Sequence, residues 1–169
     1  MKKIKEGFTL VELLVIIAII AILATIIAPN AFKAIEKSKV ATVESDYRAI
    51  KTATLNYYTD TGKWPSMYDA TLEGLFITGK DKNNKKLDNW DGPYLEKWPS
   101  KNPWAGIYKI NTHGDIVELE FDKVPLKAAA KIDLDLDGVE GNNKGFVMYG
   151  LNDDNTYTVR IRITHRIPE

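Results

Sequence analysis

The sequence predicts an α+β fold in which a long N-terminal α-helix packs on a small antiparallel β-sheet. Three observations predict this fold. Apolar residues are concentrated at the N-terminal end of a chain of 169 residues that is 44% hydrophobic overall. Apolar side chains then recur at spacings of three and four, and the C-terminal part alternates apolar and polar residues. The length suits one globular domain with a core of its own.

Charge and cysteine content exclude several classes of function. Lys+Arg and Asp+Glu number 23 each, so no net charge attracts DNA or RNA, and no specific nucleic-acid partner is predicted. The chain has no Cys, which excludes disulfide frameworks, cysteine–zinc sites and thiol catalysis.

Residues 8–29 form an apolar run that follows a short basic leader, residues 1–7. A helix from Phe8 to Ala28 would be about 31 Å long, which is the thickness of the hydrocarbon core of a bilayer. The run contains one charged residue, Glu12. A cleaved secretory signal is the alternative, but its apolar part is ~7–15 residues long and ends in an Ala-x-Ala-like site, and neither feature is found here. We therefore expect a membrane-spanning helix.

The same helix is predicted to continue through residues 30–60 as an amphipathic half. Apolar residues from Val40 to Tyr57 recur at helical spacing and define one face, which needs a globular domain to cover it. Gly62 and Pro65 predict the end of the helix.

Residues 61–169 are predicted to form the globular domain with its antiparallel sheet. Two hairpins are predicted, with strands at 106–111 and 115–122 and at 145–150 and 156–164. A short helix is predicted at Leu126–Lys131. All four Trp residues fall in the connection of residues 64–104, where we expect them to form a satellite core.

An acidic motif lies between the predicted short helix and the last hairpin. Asp133, Asp135 and Asp137 with Gly138 match the first half of a calcium loop, D-x-D-x-D-G, although position 12 would be Lys144 rather than a bidentate Glu. Calcium prefers oxygen ligands, so we expect a calcium site here, with an exposed acidic turn as the alternative. The residues that could complete the shell are Val139 through its carbonyl, Glu140, Asp153 and Asp154.

The sequence contains little that would support catalysis, and an enzyme is not predicted. Neither His113 nor His165 lies in an H-E-x-x-H pattern, and no Ser lies in G-x-S-x-G. A P-loop and a G-x-G-x-x-G motif are both absent from the sequence.

The segment Gly7-Phe8-Thr9-Leu10-Val11-Glu12, followed by the apolar run, resembles the class III signal of type IV pilins and their relatives. The resemblance implies that a prepilin peptidase cuts between Gly7 and Phe8, removes residues 1–7 and N-methylates Phe8. The apolar helix of residues 8–29 would then remain as the core of a filament. The implied function is that of a structural subunit of a type IV pilus-like filament.

The same resemblance implies the partners and the location of the chain. The partners are further copies of the chain, the prepilin peptidase, an inner-membrane assembly platform and the membrane itself. The chain would be a single-pass protein of the cytoplasmic membrane before assembly and part of a cell-surface filament afterwards.

Residues 57–110 are similar to the major pseudopilin of type II secretion systems. The segments that carry this similarity are Gly62-Lys63-Trp64-Pro65, Trp90-Asp91-Gly92-Pro93-Tyr94-Leu95 and Asn102-Pro103-Trp104. That family usually has Asp-Pro-Trp-Gly, and here Asn102 and Ala105 replace the Asp and the Gly. It also has a calcium loop near the position of the acidic motif, but residues 145–169 depart from its pattern. A major pseudopilin is therefore an alternative function, and a membrane-anchored binding domain that does not polymerise is another.

Glu12 is predicted to act in assembly together with Phe8 and Pro29. An ionised carboxylate costs at least ~2.5–3.5 kcal/mol at the centre of a bilayer, although the start of a helix tolerates it better. The α-amine that cleavage creates on Phe8 could neutralise Glu12 of a neighbouring chain and set the axial register. A tolerated interfacial Glu is the alternative. Pro29 lacks an N–H for the helix, so we expect the helix to be kinked or locally opened there in the filament.

Overall fold

The structure is a computed structural model that describes residues 8–67, 70–138, 141 and 145–164. The chain divides into two compact units, Met1–Ser38 and Lys39–Glu169. The elements in chain order are α1 (Leu10–Thr61), a short π-helical turn (Gly74–Thr78), β1 (Tyr108–His113), β2 (Ile116–Val124), α2 (Leu126–Asp137), β3 (Val147–Leu151) and β4 (Tyr157–Arg162).

The first unit contains the apolar half of α1. The helix begins at Leu10 and stays α-helical through Pro29, and no Gly interrupts this segment. Its large apolar side chains lie on the surface: Ile22 is 63% exposed and Ile27 is 61% exposed. This half of the helix therefore has no protein covering it within the chain that the structure describes.

The second unit contains a core between the amphipathic half of α1 and the sheet. The predicted apolar face of α1 is buried, and Thr54 is buried with it. Val43 and Ile50 are fully buried in one hydrophobic core that also contains the strand residues Leu119 and Ile161. The predicted packing of an amphipathic helix on an antiparallel sheet is therefore confirmed.

The sheet has four antiparallel strands in the order β1-β2-β4-β3. Both predicted hairpins form, and the pairing of β2 with β4 joins them. Leu119 and Phe121 alternate with Glu118 and Glu120, so that the apolar side chains face the core. On the other face Glu120 forms an ion pair with Arg160 of β4 at 2.7 Å.

α2 spans Leu126–Asp137 and is longer than the predicted helix of residues 126–131. The prediction ended it too early, because the buried positions continue to Ile132 and no Gly or Pro interrupts them. The helix ends at Gly138, which adopts a φ of 68° and donates its N–H to the carbonyl of Leu134. The first half of the acidic motif is therefore helical rather than a loop.

The connection of residues 64–104 packs on this core through its aromatic side chains. Trp90 donates its Nε1–H to the carbonyl of Leu75 at 2.8 Å. The ring of Trp98 stacks on Phe76 with centroids 5.7 Å apart. All four Trp side chains are partly buried against the main core, so they extend that core rather than form the separate satellite core that was predicted.

Candidate assembly site

The N-terminus of α1 is closed by a reciprocal pair of contacts between Thr9 and Glu12. Oε2 of Glu12 accepts hydrogen bonds from the backbone N–H of Thr9 at 2.8 Å and from its hydroxyl at 2.7 Å. In return, the Glu12 N–H donates to Oγ1 of Thr9 at 3.2 Å. This arrangement is a capping box, in which the residue before the helix and the third helical residue satisfy each other.

Thr9 was not among the residues predicted from the sequence to act at this site. The signal that identifies it is the spacing Thr-x-x-Glu immediately before an apolar run, which is typical of a helix start. The carboxylate of Glu12 thus has partners in its own chain. Its second oxygen, Oε1, has no hydrogen bond within the described residues and is available to a group from another molecule.

The structure places Phe8 directly before this capping box, with its side chain 78% exposed. Gly7 lies outside the described residues. Glu12 lies four positions after Phe8 along the chain, a spacing of about one turn of helix. The amine that cleavage would create and the carboxylate therefore lie at the same end of α1, where each is accessible to a second chain.

The apolar half of α1 presents an uncovered surface that is long enough to cross a bilayer. By length and composition it is the one helix within the described residues that could span a membrane. Leu10 and Leu13 are 79% and 57% exposed, respectively. Water is an unfavourable environment for such a surface, so this segment requires lipid or other apolar helices around it. The expected disturbance at Pro29 concerns the filament and stays a prediction.

The three Asp residues of the acidic motif have separate partners. Asp133 accepts the N–H of Gly141 through Oδ2 at 3.2 Å. Asp135 pairs with Lys131 one turn earlier in α2. Asp137 accepts the N–H groups of two residues at the start of β3, Phe146 at 3.2 Å and Val147 at 2.9 Å.

These carboxylates do not by themselves fit a calcium shell. No group of three metal-ligating side chains comes together within the described part of the chain. Val139 and Glu140 lie outside the described residues. Asp153 and Asp154 lie in the β3–β4 turn, where the hydroxyl and the N–H of Thr156 lower the pKa of Asp154. Calcium binding stays a prediction.

Asn102 organises the turn that ends the aromatic connection. Its Oδ1 accepts the N–H of Trp104 at 2.8 Å and of Gly106 at 3.1 Å, and its Nδ2 donates to the Asp122 carbonyl at 2.8 Å. Asn102 is 3% exposed. Ala105 sits in the same turn at a φ of 64°, a conformation that favours glycine. The hydrogen bond to the Asp122 carbonyl explains why an Asn suits this position. An Asp carboxylate would lack the N–H that donates it.

The C-terminal end of α1 is tied to the aromatic connection. The Tyr94 hydroxyl donates to the Asp60 carboxylate at 2.7 Å. Burial and this contact with Asp60 raise the pKa of Tyr94 to about 12. Near the same end of α1, the rings of Tyr58 and Trp64 stack with centroids 3.9 Å apart. This end of the helix is therefore held in place by side chains of the globular unit.

Comparison with known proteins agrees with this geometry in both units. The family model for the prokaryotic N-terminal methylation motif matches residues 2–28, and the model for the C-terminal part of PilW matches residues 34–125. The solved structure of the major type IV pilin PilA1 from Clostridium difficile superposes with a TM-score of 0.52 and 27% identity. It covers 78% of this chain and 98% of that chain.

Relatives of known name fall into two groups. The type II secretion system core protein G of Pseudomonas aeruginosa is 34% identical over 113 residues, which are 65% of this chain and 75% of that protein. The same protein of Vibrio cholerae is 32% identical over 117 residues, 68% of this chain and 77% of that protein. The fimbrial protein EcpC of Eikenella corrodens is 34% identical over 84 residues, 50% of this chain and 55% of that protein.

One long helix, with an acidic residue in its first turn, an uncovered apolar half of membrane length and an amphipathic half packed on a small antiparallel sheet, is typical of filament subunits. The chain belongs to the type IV pilin-like family, which includes pilins and the major pseudopilins of type II secretion. It is a polymerising pilin or pseudopilin subunit. Its relatives are structural proteins.

Proposed function

We propose that this chain is the major subunit of a type II secretion pseudopilus. Polymerisation is supported mainly by the apolar half of α1, because its large side chains remain exposed along its length. Transfer from lipid to a bundle of identical helices keeps that surface out of water throughout assembly. The filament core would therefore consist of residues 8–29 of many copies.

Glu12 and Phe8 provide the specific contact in this mechanism. In the single chain Oε2 of Glu12 is bonded to Thr9, while Oε1 is available. The methylated amine of an incoming Phe8 would bind this carboxylate, because an unpaired charge of either sign is costly in an apolar bundle. Such a pair forms at one axial offset between neighbouring helices and so fixes their register.

The relatives support secretion over adhesion. Core protein G sequences from several bacteria match more than half of this chain. An adhesive or motility pilus is the second candidate. The similarity to a fimbrial protein and to a solved pilin favours this second candidate. The match to the PilW model ends at residue 125, so β3 and β4 lie beyond it.

Processing and location follow from the N-terminal motif. We infer that a prepilin peptidase cleaves between Gly7 and Phe8 and methylates Phe8, and that an inner-membrane platform then assembles the mature chain. The subunit would reside in the cytoplasmic membrane first and in the filament afterwards. Intact-mass analysis of sheared filaments should give a chain that starts at Phe8 with a methylated amine. Retention of Met1, or a start near Ala31, would contradict this.

Expression in a secretion-competent host that lacks its own core protein G tests the function. The full chain should yield shearable filaments and restore secretion. Glu12→Ala should still enter the membrane and keep its globular unit folded, but it should form no filaments. Leaving one member of a buried charge pair alone costs ~3–5 kcal/mol at every subunit contact.

Glu73→Ala is the matched control, because Glu73 is an exposed residue of the globular unit. It should leave filaments and secretion unchanged. Wild-type amounts of filament from Glu12→Ala would overturn the proposed assembly mechanism. Filaments without restored secretion, in a host with a retraction ATPase, would favour the pilus instead.

A further inference from the structure

Two lysines follow the apolar half of α1. After Glu12 the sequence carries no charge until Lys33, and Lys37 lies about one helical turn beyond it. The helix is continuous through this stretch. At ~1.5 Å per residue, the uncharged residues 13–32 span about 30 Å, which is the thickness of the hydrocarbon core of a bilayer. An upright helix therefore places Glu12 at one boundary of the hydrocarbon and Lys33 at the other.

The ammonium groups of these two lysines are available to a ligand. Lys33 and Lys37 are exposed, and neither forms a hydrogen bond or an ion pair within the described part of the chain. The next lysine differs, because the ammonium of Lys39 lies 5.9 Å from the ring centroid of Trp104. Residues four apart lie on the same side of a helix, so Lys33 and Lys37 can bind neighbouring acidic groups together.

The surroundings of the two lysines suit the surface of a bilayer. Phe32 is 68% exposed and Ile35 is 51% exposed, so apolar side chains remain uncovered at the same level of the helix. A lysine at such a boundary keeps its aliphatic stem in the apolar layer and its ammonium among the headgroups. Residues 30–40 contain three lysines and one acidic residue, Glu36, and this segment therefore attracts anions.

The position of these lysines is unusual for a membrane span, because basic residues usually flank a span on the cytoplasmic side. In the location proposed above, the globular unit faces away from the cytoplasm, so Lys33 and Lys37 lie at the outer surface. The proposed cleavage removes Lys2, Lys3 and Lys5 from the inner side. The mature chain then keeps lysines at the outer flank of its span only, and the partner that this position allows is an anion at the outer surface.

We propose that Lys33 and Lys37 bind the phosphate groups of anionic phospholipids in the outer leaflet of the cytoplasmic membrane before the subunit enters the filament. This inference rests on the membrane location within the proposed function. The contact sets the depth of α1, because it fixes the outer end of the uncharged segment at the headgroups. Glu12 and the amine of Phe8 are thereby held at the inner boundary, where a second chain can reach them.

Lipid enrichment around residue 31 tests the contact. The chain has no Cys, so Ala31→Cys introduces a unique thiol, which a bimane fluorophore labels. The full chain is placed in vesicles of phosphatidylcholine with a minor share of phosphatidylglycerol, and either lipid carries bromine on its acyl chains. A lysine near an anionic surface favours binding about fivefold. Quenching per mole of brominated lipid should therefore be about fivefold stronger, or more, for phosphatidylglycerol.

Variants of the labelled chain assign the effect to the two lysines. Lys33→Gln with Lys37→Gln should make the two lipids quench equally, whereas Lys33→Arg with Lys37→Arg should keep the preference, because guanidinium groups also bind phosphate. Lys82→Gln with Lys85→Gln is the matched control, since it removes the same charge from exposed positions of the globular unit. It should leave the preference unchanged. The leader lysines lie before the opposite end of the apolar run, so lipids bound there do not quench the label.

The outcomes separate this contact from the proposed function. Equal quenching by both lipids around the labelled chain, or an unchanged preference in the Lys33→Gln, Lys37→Gln variant, would overturn the lipid contact. The vesicle assay needs no filament, so a chain that enriches phosphatidylglycerol but forms no filament in the host would overturn the proposed function alone. Release of the chain from the vesicles at alkaline pH would show that α1 does not enter the bilayer, and both proposals would then be wrong.

Discussion

Thr9 and Glu12 hold each other through three hydrogen bonds at the first turn of α1, two of which end on the same carboxylate oxygen. The contact gives the one acidic group of the apolar helix a partner before any second chain arrives. A carboxylate that is already hydrogen-bonded is less costly to place near the membrane surface. Thr9 therefore holds the carboxylate of Glu12 in place for the proposed contact with Phe8 of a second chain.

Thr9→Ala should loosen the first turn of α1 without affecting the globular unit. Loss of a capping Thr costs ~0.5–2 kcal/mol, so the first-turn amides should exchange their hydrogens about fivefold faster for each kcal/mol lost. Hydrogen exchange of the full chain in detergent measures this. Thr25→Ala is the control, because the Thr25 hydroxyl donates a hydrogen bond to the carbonyl of Ile22 within the same helix and caps no helix end. Equal exchange in both variants would show that the capping box does not stabilise the helix start.

Ala105→Gly should stabilise the globular unit. Ala105 adopts a φ of 64°, where a Cβ is unfavourable and glycine is not. The gain is reduced because glycine makes the unfolded chain more flexible, which leaves about 0.5–1 kcal/mol. Thermal unfolding of the full chain in detergent should show a higher midpoint. Ala41→Gly, at an exposed helical position, should lower it by comparison.

Asn102→Asp should destabilise the same turn at neutral pH by about 2 kcal/mol. The substitution keeps the acceptor for Trp104 and Gly106 but replaces the donor to the Asp122 carbonyl with an oxygen. A protonated Asp could donate that hydrogen bond, so its pKa in the folded state should lie above the unfolded value. The lost stability should return as the pH falls through that folded-state pKa, and urea titrations from pH 7 to 4 measure the recovery. A pH-independent loss would contradict the explanation.

Calcium should raise the unfolding temperature of the full chain if the acidic motif binds it. A ligand that only the folded state binds at 100-fold over its dissociation constant adds ~2.7 kcal/mol. Asp135→Asn is the informative variant, because Asp135 contacts the side chains of Lys131 and Glu44 and holds no backbone group of the motif, whereas Asp137 holds the N–H groups at the start of β3. The rise should be lost in this variant. Identical unfolding in calcium and in chelator would establish that the motif acts through its hydrogen bonds alone.

The pattern of the sequence was sufficient to predict the elements that depend on local periodicity. The apolar face of α1 from Val40 to Tyr57 and both hairpins appear as predicted, because apolar spacing of 3.6 or 2 residues directly determines which side can be buried. The N-terminal signal could likewise be predicted from the sequence. Recognising an apolar run of membrane length after Gly7-Phe8 requires no information on tertiary contacts. Thr9 was available from its spacing to Glu12 but was overlooked.

Tertiary contacts decided what periodicity could not. The spacing of Asp133, Asp135 and Asp137 suits a loop, yet burial of Ala129 and Ile132 against the core extends α2 to Asp137 and separates the three carboxylates. Asp46 and Tyr108 are far apart in sequence, and only the packing of α1 on the sheet joins them and leaves a carboxylate beside a cleft. Local pattern determined which residues form helix and strand, whereas the pairing of distant side chains depended on how those elements pack, because burial and hydrogen bonding act between surfaces that the linear sequence does not bring together.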